Sequence, residues 1–168
     1  MTLQQLNNLS IPQLRTELAR CCGSATWIEQ MVEIFPVADE KELLPEAERI
    51  WNNCSENDWI EAFSHHPRIG DVQTLKERFA ATAQWAGEEQ AAARQTSDAV
   101  LQALKEGNDA YAEKFGYIFI VCATGKSAPE MLHLLQARLH NTAEDEIRIA
   151  MQEQNKITQI RLQKLLAS

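Results

Sequence analysis

A histidine-proline turn is the part of this sequence best suited to chemistry. It runs Phe63-Ser-His-His-Pro-Arg-Ile-Gly70, between segments whose apolar residues recur at helical spacing. Because Pro67 disfavours helical backbone at the residue before it, we predict that a helix ends at His65 and His66. An imidazole titrates near neutral pH, and one held at a helix end has little conformational freedom. His66 is therefore a candidate general acid or base, although a loop histidine that merely precedes a proline gives the same pattern.

Two charged residues elsewhere in the chain extend this candidate site. Glu89 lies in Trp85-Ala-Gly-Glu-Glu-Gln90, on a helix predicted to follow the turn, where a solvated face would equally explain adjacent glutamates. Arg161 falls at helical spacing on the apolar stripe of the last predicted helix, whose members are Ile147, Met151, Thr158 and Leu165. An arginine in such a stripe must extend to water, pair with another group, or bind a ligand.

Three other kinds of site fit the sequence less well. The run from Ala123 to Ser127 imitates the end of a phosphate-binding loop, but Ile120 stands where that motif requires glycine. Lys126, beside a helix start, could still meet an anion. Cys122 lies in the most apolar run of the chain, where a thiol is expected to be packing rather than a nucleophile served by His66. The histidines show no His-x-x-x-His spacing, so we predict no metal site.

The periodicity predicts an all-α, single-domain bundle over residues 1–168, with about eight to nine helices and a long C-terminal helix. Ser10, Ser24 and Ser55 are predicted N-caps, and helices are expected near 2–9, 11–22, 40–53, 127–140 and 142–166. Further helices are expected after Asp71, from about 84 to 94, and from Thr96 or Ser97 to Gly116. The one strand-like run, 117–123, is read as buried extended chain or a helix start.

Composition narrows the possible partners. A formal net charge of -8, without a basic cluster, argues against nucleic-acid binding. No apolar run approaches the roughly 18 residues of a membrane span. Four cysteines without a C-x-x-C pair, and no basic-then-apolar amino terminus, favour a reduced, cytoplasmic protein.

The order of several motifs resembles the 2-oxo-4-hydroxy-4-carboxy-5-ureidoimidazoline (OHCU) decarboxylase family. The motifs are His66-Pro-Arg-Ile-Gly70, Trp85-x-x-x-Glu89-Gln90, Tyr111-x-x-Lys-Phe-Gly116, Phe119-Ile-Val-Cys122, Gly125-Lys126 and Glu153-x-x-Lys156-Ile157 followed by Arg161-Leu162. The resemblance implies an all-helical, cofactor-independent lyase of urate breakdown, usually a homodimer, which converts OHCU to (S)-allantoin and carbon dioxide. This substrate carries its own electron sink, the ring C=N bond next to the departing carboxylate, so the chemistry left to the protein is proton transfer.

The same resemblance assigns roles to individual residues. His66 would be the catalytic histidine, Glu89 its acidic partner at the substrate, and Arg161 a clamp for an anionic or ureido group. Pro67 and the backbone around Phe119, Ile120 and Val121 would line the pocket.

Two departures from the family pattern matter for these assignments. Ala86 stands where the family often has a serine, which puts one substrate hydrogen bond in doubt, and the active glutamate could be Glu88. Phe35-Pro36-Val37 replaces a common Arg-Pro-Phe. From the residues alone, a non-enzymatic helical module that binds a peptide remains the alternative, as does a cofactor-free hydrolase or epimerase with the same groups.

We predict that a chelator leaves any decarboxylase activity unchanged, because the sequence offers no complete set of metal ligands. The purified protein should carry neither a chromophore nor a stoichiometric metal, which metal analysis and an absorption spectrum would measure. One equivalent of zinc, lost together with activity on chelation, would contradict this prediction.

Overall fold

Helices account for the regular structure of the protein. The computed structural model describes residues 1–67, 77 and 98–167, and all statements below concern these residues. Within them, eight helices and no strand occur, which confirms the predicted all-α class and the long C-terminal helix. The helices are α1 (Leu3–Asn7), α2 (Ile11–Cys21), α3 (Ala25–Ile34), α4 (Glu40–Asn52), α5 (Glu56–Ser64), α6 (Asp98–Phe115), α7 (Ala128–Arg138) and α8 (Ala143–Ala167).

Hydroxyl side chains begin most of these helices. Each accepts a hydrogen bond from a backbone amide of the first turn, which would otherwise have no partner within the helix. The predicted caps at Ser10, Ser24 and Ser55 are confirmed, and Thr2 and Ser127 cap α1 and α7 in the same way. Helix ends agree with the sequence to within a residue or two because capping is a local interaction.

Some predictions fall outside the described part of the chain. These are the helices expected after Asp71 and over 84–94, and the start expected for α6 at Thr96 or Ser97. The run 117–123 has no regular secondary structure, so its interpretation as a helix start is wrong. Gly116 and Gly125 bound this run at φ +83° and +75°, a backbone region that glycine adopts without strain.

The residues group into two compact units. The first comprises Met1–His66 and Ile149–Ser168. In it, α3 packs against α2, α4 and α5. Indole donors add fixed contacts to this core, since Trp27 donates to the carbonyl of Ala47 at 3.1 Å and Trp51 donates to that of Met151 at 2.8 Å. The largest side chains buried in it are Trp27, Trp51, Phe63, Leu6, Leu18, Met31, Leu43 and Ile50.

The second unit comprises Pro67–Arg148. In its described part α6 packs against α7 over a core of Leu101, Leu104, Tyr111, Phe119, Ala128 and Leu135. Gly107 permits the close approach of the two helices, because a Cβ there would lie 2.6 Å from Cδ2 of Leu135. The predicted single domain over 1–168 stays a prediction. No described helix is long and apolar enough to cross a membrane.

A buried ion pair fixes the 117–123 run in the second unit. Arg138 Nε donates to Glu146 Oε1 at 2.7 Å, and Arg138 Nη1 donates to the carbonyl of Ile120 at 2.7 Å. Tyr111 and Asn141 also donate to the Glu146 carboxylate, whose side chain is fully buried. Burial raises the pKa of Tyr111, so its hydroxyl remains a donor at physiological pH.

We predict that Glu146→Gln destabilises the protein by about 3–5 kcal/mol, because it leaves the Arg138 guanidinium buried without a carboxylate. Urea unfolding followed by circular dichroism would measure the change. Glu144→Gln, which alters an exposed carboxylate on the same helix, is the matched control and should leave the unfolding midpoint in place. Equal midpoints for the two variants would contradict the prediction.

Candidate functional site

Helix α5 carries the histidines and is anchored at both ends. At its start, Ser55 and Asp58 form a capping box, and Asp58 also accepts a hydrogen bond from the Thr26 hydroxyl at 2.7 Å. The backbone amide of Ser55 lowers the pKa of Asp58, against the raising effect of desolvation, so this cap stays ionised at neutral pH. Near its end, Phe63 is fully buried. The last turn of α5 is therefore held in place by the core.

The helix stops at the histidines, as the sequence predicts. Its last residue is Ser64, and His65 is the C-cap. The amides of His65 and His66 donate to the carbonyls of Ala62 and Phe63 at 3.2 Å and 3.1 Å, which tightens the final turn. Pro67 follows directly and is exposed.

The two adjacent histidines have different surroundings. His65 lies against Gly23, where an added Cβ would come within 2.5 Å of the His65 Cγ. His66 is half-buried, and its Nε2 forms a hydrogen bond with Oε1 of Gln154 on α8. His65 therefore packs against the segment between α2 and α3, whereas His66 meets a polar group of the last helix.

Gln154 belongs to a chain of buried polar side chains. It is 1% exposed, and its Nε2 donates to Oγ1 of Thr158, one turn further along α8, at 3.0 Å. Thr158 is 2% exposed, and the Cys22 thiol lies near its hydroxyl. Burial raises the pKa of Cys22 to about 12, so this thiol is a neutral packing group and not a nucleophile.

Gln154 is the hydrogen-bond partner of His66 that the sequence reasoning missed. The stripe predicted on α8 contains Met151 and Thr158, and the intervening helical position on that face is 154. A glutamine there is a polar residue in a buried row, which requires a hydrogen-bond partner. The periodicity of α8 thus indicated a buried polar residue at position 154, but it did not identify His66 as its partner.

Arg161 occupies the same face of α8 as Gln154. The two residues are seven apart, which is about two turns or roughly 10 Å along the helix. Arg161 is half-buried, and its Nη1 lies 3.5 Å from the carbonyl oxygens of Arg20 and Cys21 at the end of α2. Arg161 was expected to extend to water, to pair with another group, or to bind a ligand. In the structure its guanidinium pairs with backbone carbonyls. A guanidinium has five N–H donors, so this long contact occupies only part of its capacity.

The remaining predicted site residues divide into two groups. Glu89, Glu88 and Ala86 lie outside the described residues. Phe119, Ile120 and Val121 belong to the second unit, where Phe119 and Ile120 are buried and Val121 is half-buried. Their contribution to a pocket with His66 stays a prediction.

The structure also describes the residues behind the other kinds of site considered from the sequence, which were a thiol nucleophile, an anion site at Lys126 and a metal site. Cys122 is buried, as expected of a packing thiol. Lys126 donates to the carbonyl of Cys122 at 2.8 Å and so closes the turn at Gly125. Among the residues that the structure describes, no group of three His, Cys, Asp or Glu side chains could hold a metal ion.

In the first unit, helix α8 contacts the His66 imidazole and also carries the Arg161 guanidinium. His66 is fixed by the end of α5 and by Gln154, and Arg161 projects from the same face two turns later. A positioned imidazole can take or give a proton near neutral pH, and a guanidinium can bind a carboxylate or a urea-like carbonyl. The arrangement suits proton transfer on a small anionic molecule.

Comparisons with known proteins all match the same family. A family model described as OHCU decarboxylase matches residues 7–163. The uric acid degradation bifunctional protein TTL of Arabidopsis thaliana is 40% identical over 148 residues, which cover 88% of this chain and 45% of that protein. The 2-oxo-4-hydroxy-4-carboxy-5-ureidoimidazoline decarboxylase of Haloferax volcanii is 22% identical, with coverage of 100% of this chain and 98% of its own.

A solved structure agrees with these relatives. A crystal structure of OHCU decarboxylase in the presence of (S)-allantoin has a TM-score of 0.73 and 38% sequence identity, and the match covers 90% of this chain and 98% of that one. The chain spans less than half the length of the bifunctional relatives that it matches.

Proposed function

Because the chain belongs to the OHCU decarboxylase family, we propose that it decarboxylates OHCU to (S)-allantoin and carbon dioxide. The observation that carries the proposal is the hydrogen bond that fixes His66 against α8, on the face that also bears Arg161. The relative of known structure, 38% identical over almost its whole length, is itself an OHCU decarboxylase studied with (S)-allantoin. We further propose a cytoplasmic homodimer that needs no cofactor, as the family resemblance implies.

The decarboxylation requires only substrate binding and proton transfer from the protein. When carbon dioxide leaves, the electrons of the broken C–C bond move into the adjacent ring C=N bond, so the substrate is its own electron acceptor. The carbon that loses the carboxylate keeps its hydroxyl group and becomes part of an enol. The ring nitrogen that receives the electrons takes up a proton, and loss of the hydroxyl proton with protonation of the neighbouring ring carbon then gives allantoin. Protonation from one face only gives a single enantiomer, which requires a fixed acid.

The proposed roles follow the order of these steps. Arg161 would hold the carboxylate or the ureido group with its planar fork of N–H donors. His66 would take the hydroxyl proton, and Glu89 would orient that hydroxyl. Pro67 and the 119–121 backbone would complete the pocket. The direct test adds protein to freshly generated OHCU and follows the circular dichroism of the allantoin formed. No acceleration over the spontaneous reaction would overturn the proposal.

We predict that His66→Ala lowers turnover by about 100-fold or more, since a positioned acid or base contributes that much to proton transfer. The helical fold should persist, with a melting temperature lowered by the loss of one hydrogen-bond partner of the buried Gln154 side chain. His65→Ala is the adjacent control, and we expect a much smaller loss. Near-normal turnover in the His66 variant would contradict the proposed role.

We predict that Arg161→Lys lowers kcat/KM by roughly ten- to a hundredfold, which corresponds to the ~1.5–3 kcal/mol of a charge-assisted hydrogen bond. Lysine keeps the charge and can still approach the last carbonyls of α2, but it loses the planar fork. Fold stability should therefore change little.

Arg148→Lys, at an exposed position of the same helix, is the matched control. If Arg161→Lys has unaltered kinetics, the contact of Arg161 with α2 is its whole role. Lys126 would then be the next candidate for the anion partner.

A further inference from the structure

Two buried side chains of α8 lie behind His66 in a fixed order. Gln154 Oε1 meets Nε2 of His66, and Gln154 Nε2 donates to Oγ1 of Thr158 at 3.0 Å. Gln154 and Thr158 are 1% and 2% exposed, so water does not substitute for either partner. A buried polar side chain of this kind costs stability unless its hydrogen bonds are made, and the arrangement therefore has a single preferred geometry.

The two ends of the glutamine amide are chemically different. The carbonyl oxygen only accepts a hydrogen bond, and the NH₂ group only donates. With the NH₂ group committed to Thr158, the oxygen faces the imidazole. The nitrogen of His66 that touches this oxygen must then carry a hydrogen, since two acceptors would repel each other.

Thr158 keeps the amide from turning over. Its hydroxyl has one hydrogen and two acceptor sites. Toward Gln154 the hydroxyl oxygen is the acceptor of a hydrogen from the amide NH₂ group, at 3.0 Å. This contact keeps the NH₂ group at Thr158 and the carbonyl oxygen at His66.

We propose that Thr158 and Gln154 are positioning residues that hold neutral His66 in the tautomer with its hydrogen on Nε2. The lone pair then lies on Nδ1, which becomes the nitrogen that accepts the substrate proton. When Nδ1 takes that proton, the Gln154 oxygen continues to accept from Nε2 and stabilises the imidazolium by a charge-assisted hydrogen bond. The tautomer itself does not depend on the reaction, whereas its catalytic use rests on the proposed function.

Nitrogen-15 NMR of the resting protein tests the tautomer without any substrate. Long-range proton–nitrogen correlations, assigned by loss of the His66 signals in His66→Ala, distinguish a protonated Nε2 from a protonated Nδ1. The expected result for wild-type protein above the histidine pKa is a protonated Nε2 and an unprotonated Nδ1. A hydrogen on Nδ1 would overturn the proposal, whatever the protein's activity.

Variants separate positioning from packing. Thr158→Val keeps the shape but removes the hydroxyl, so the amide is free to turn and the Nε2–H tautomer should lose population. Thr158→Ser keeps the hydroxyl and should retain the wild-type spectrum. Gln154→Met removes both ends of the amide, with Gln152→Met, exposed on the same helix, as its control. Helical circular dichroism identifies any variant that is misfolded, and the Thr158 pair then tests the proposal independently of Gln154.

Kinetic measurements test whether the His66 tautomer is used in catalysis. Gln154→Met should lower kcat by roughly ten- to a hundredfold with little change in KM, since losing the group that orients a catalytic side chain typically costs this much. Gln154→Glu places a carboxylate at Nε2 and should shift the acidic limb of the pH profile of kcat/KM upward, because a nearby negative charge favours imidazolium.

The NMR and kinetic measurements distinguish a failure of the proposed function from a failure of the positioning role. The predicted tautomer together with an absence of OHCU turnover would refute the proposed function and leave the positioning intact. Wild-type spectra and pH profiles in Thr158→Val, Gln154→Met and Gln154→Glu would instead overturn the positioning role.

Discussion

The buried polar row of α8 is the constraint on which the first unit depends. A polar side chain removed from water needs its hydrogen bonds made within the protein, and Gln154 and Thr158 are almost completely buried. Outside α8, Gln154 bonds His66 at the end of α5, and Arg161 on the same face contacts the carbonyls at the end of α2. The ends of two early helices must therefore meet the last helix in one register. Apolar packing alone would tolerate several registers.

Local signals explain why so much of the fold was predictable. The hydroxyls of Ser10, Ser24 and Ser55 each act within three residues of their own position, so the sequence contains both members of the interaction. The stop at His65 is equally local, because it follows from Pro67. Helix type and bounds depend on such neighbours and on a 3.6-residue period, both of which can be read directly from the chain.

The contacts of the site are not local, and they could not be predicted. Gln154 is 88 residues from His66, and Arg161 is 140 residues from Cys21. Periodicity places Arg161 and Gln154 on the inner face of α8 but does not say which element covers that face. The resemblance to a family assigns roles to His66 and Arg161, whereas Gln154 stands at an unspecified position of the motif Glu153-x-x-Lys156. Glu89 lies beyond the described residues, so its role stays a prediction.

A neutral partner for His66 suits the proposed reaction better than a carboxylate would. A carboxylate at Nε2 would raise the histidine pKa and keep the ring protonated at neutral pH, which would remove the base. It would also add negative charge beside an anionic substrate, in a protein whose net charge is already -8. Gln154 fixes the ring by hydrogen bonding alone and adds no charge at Nε2. In the proposed mechanism the guanidinium would bind the anion, and the imidazole would still be able to take its proton.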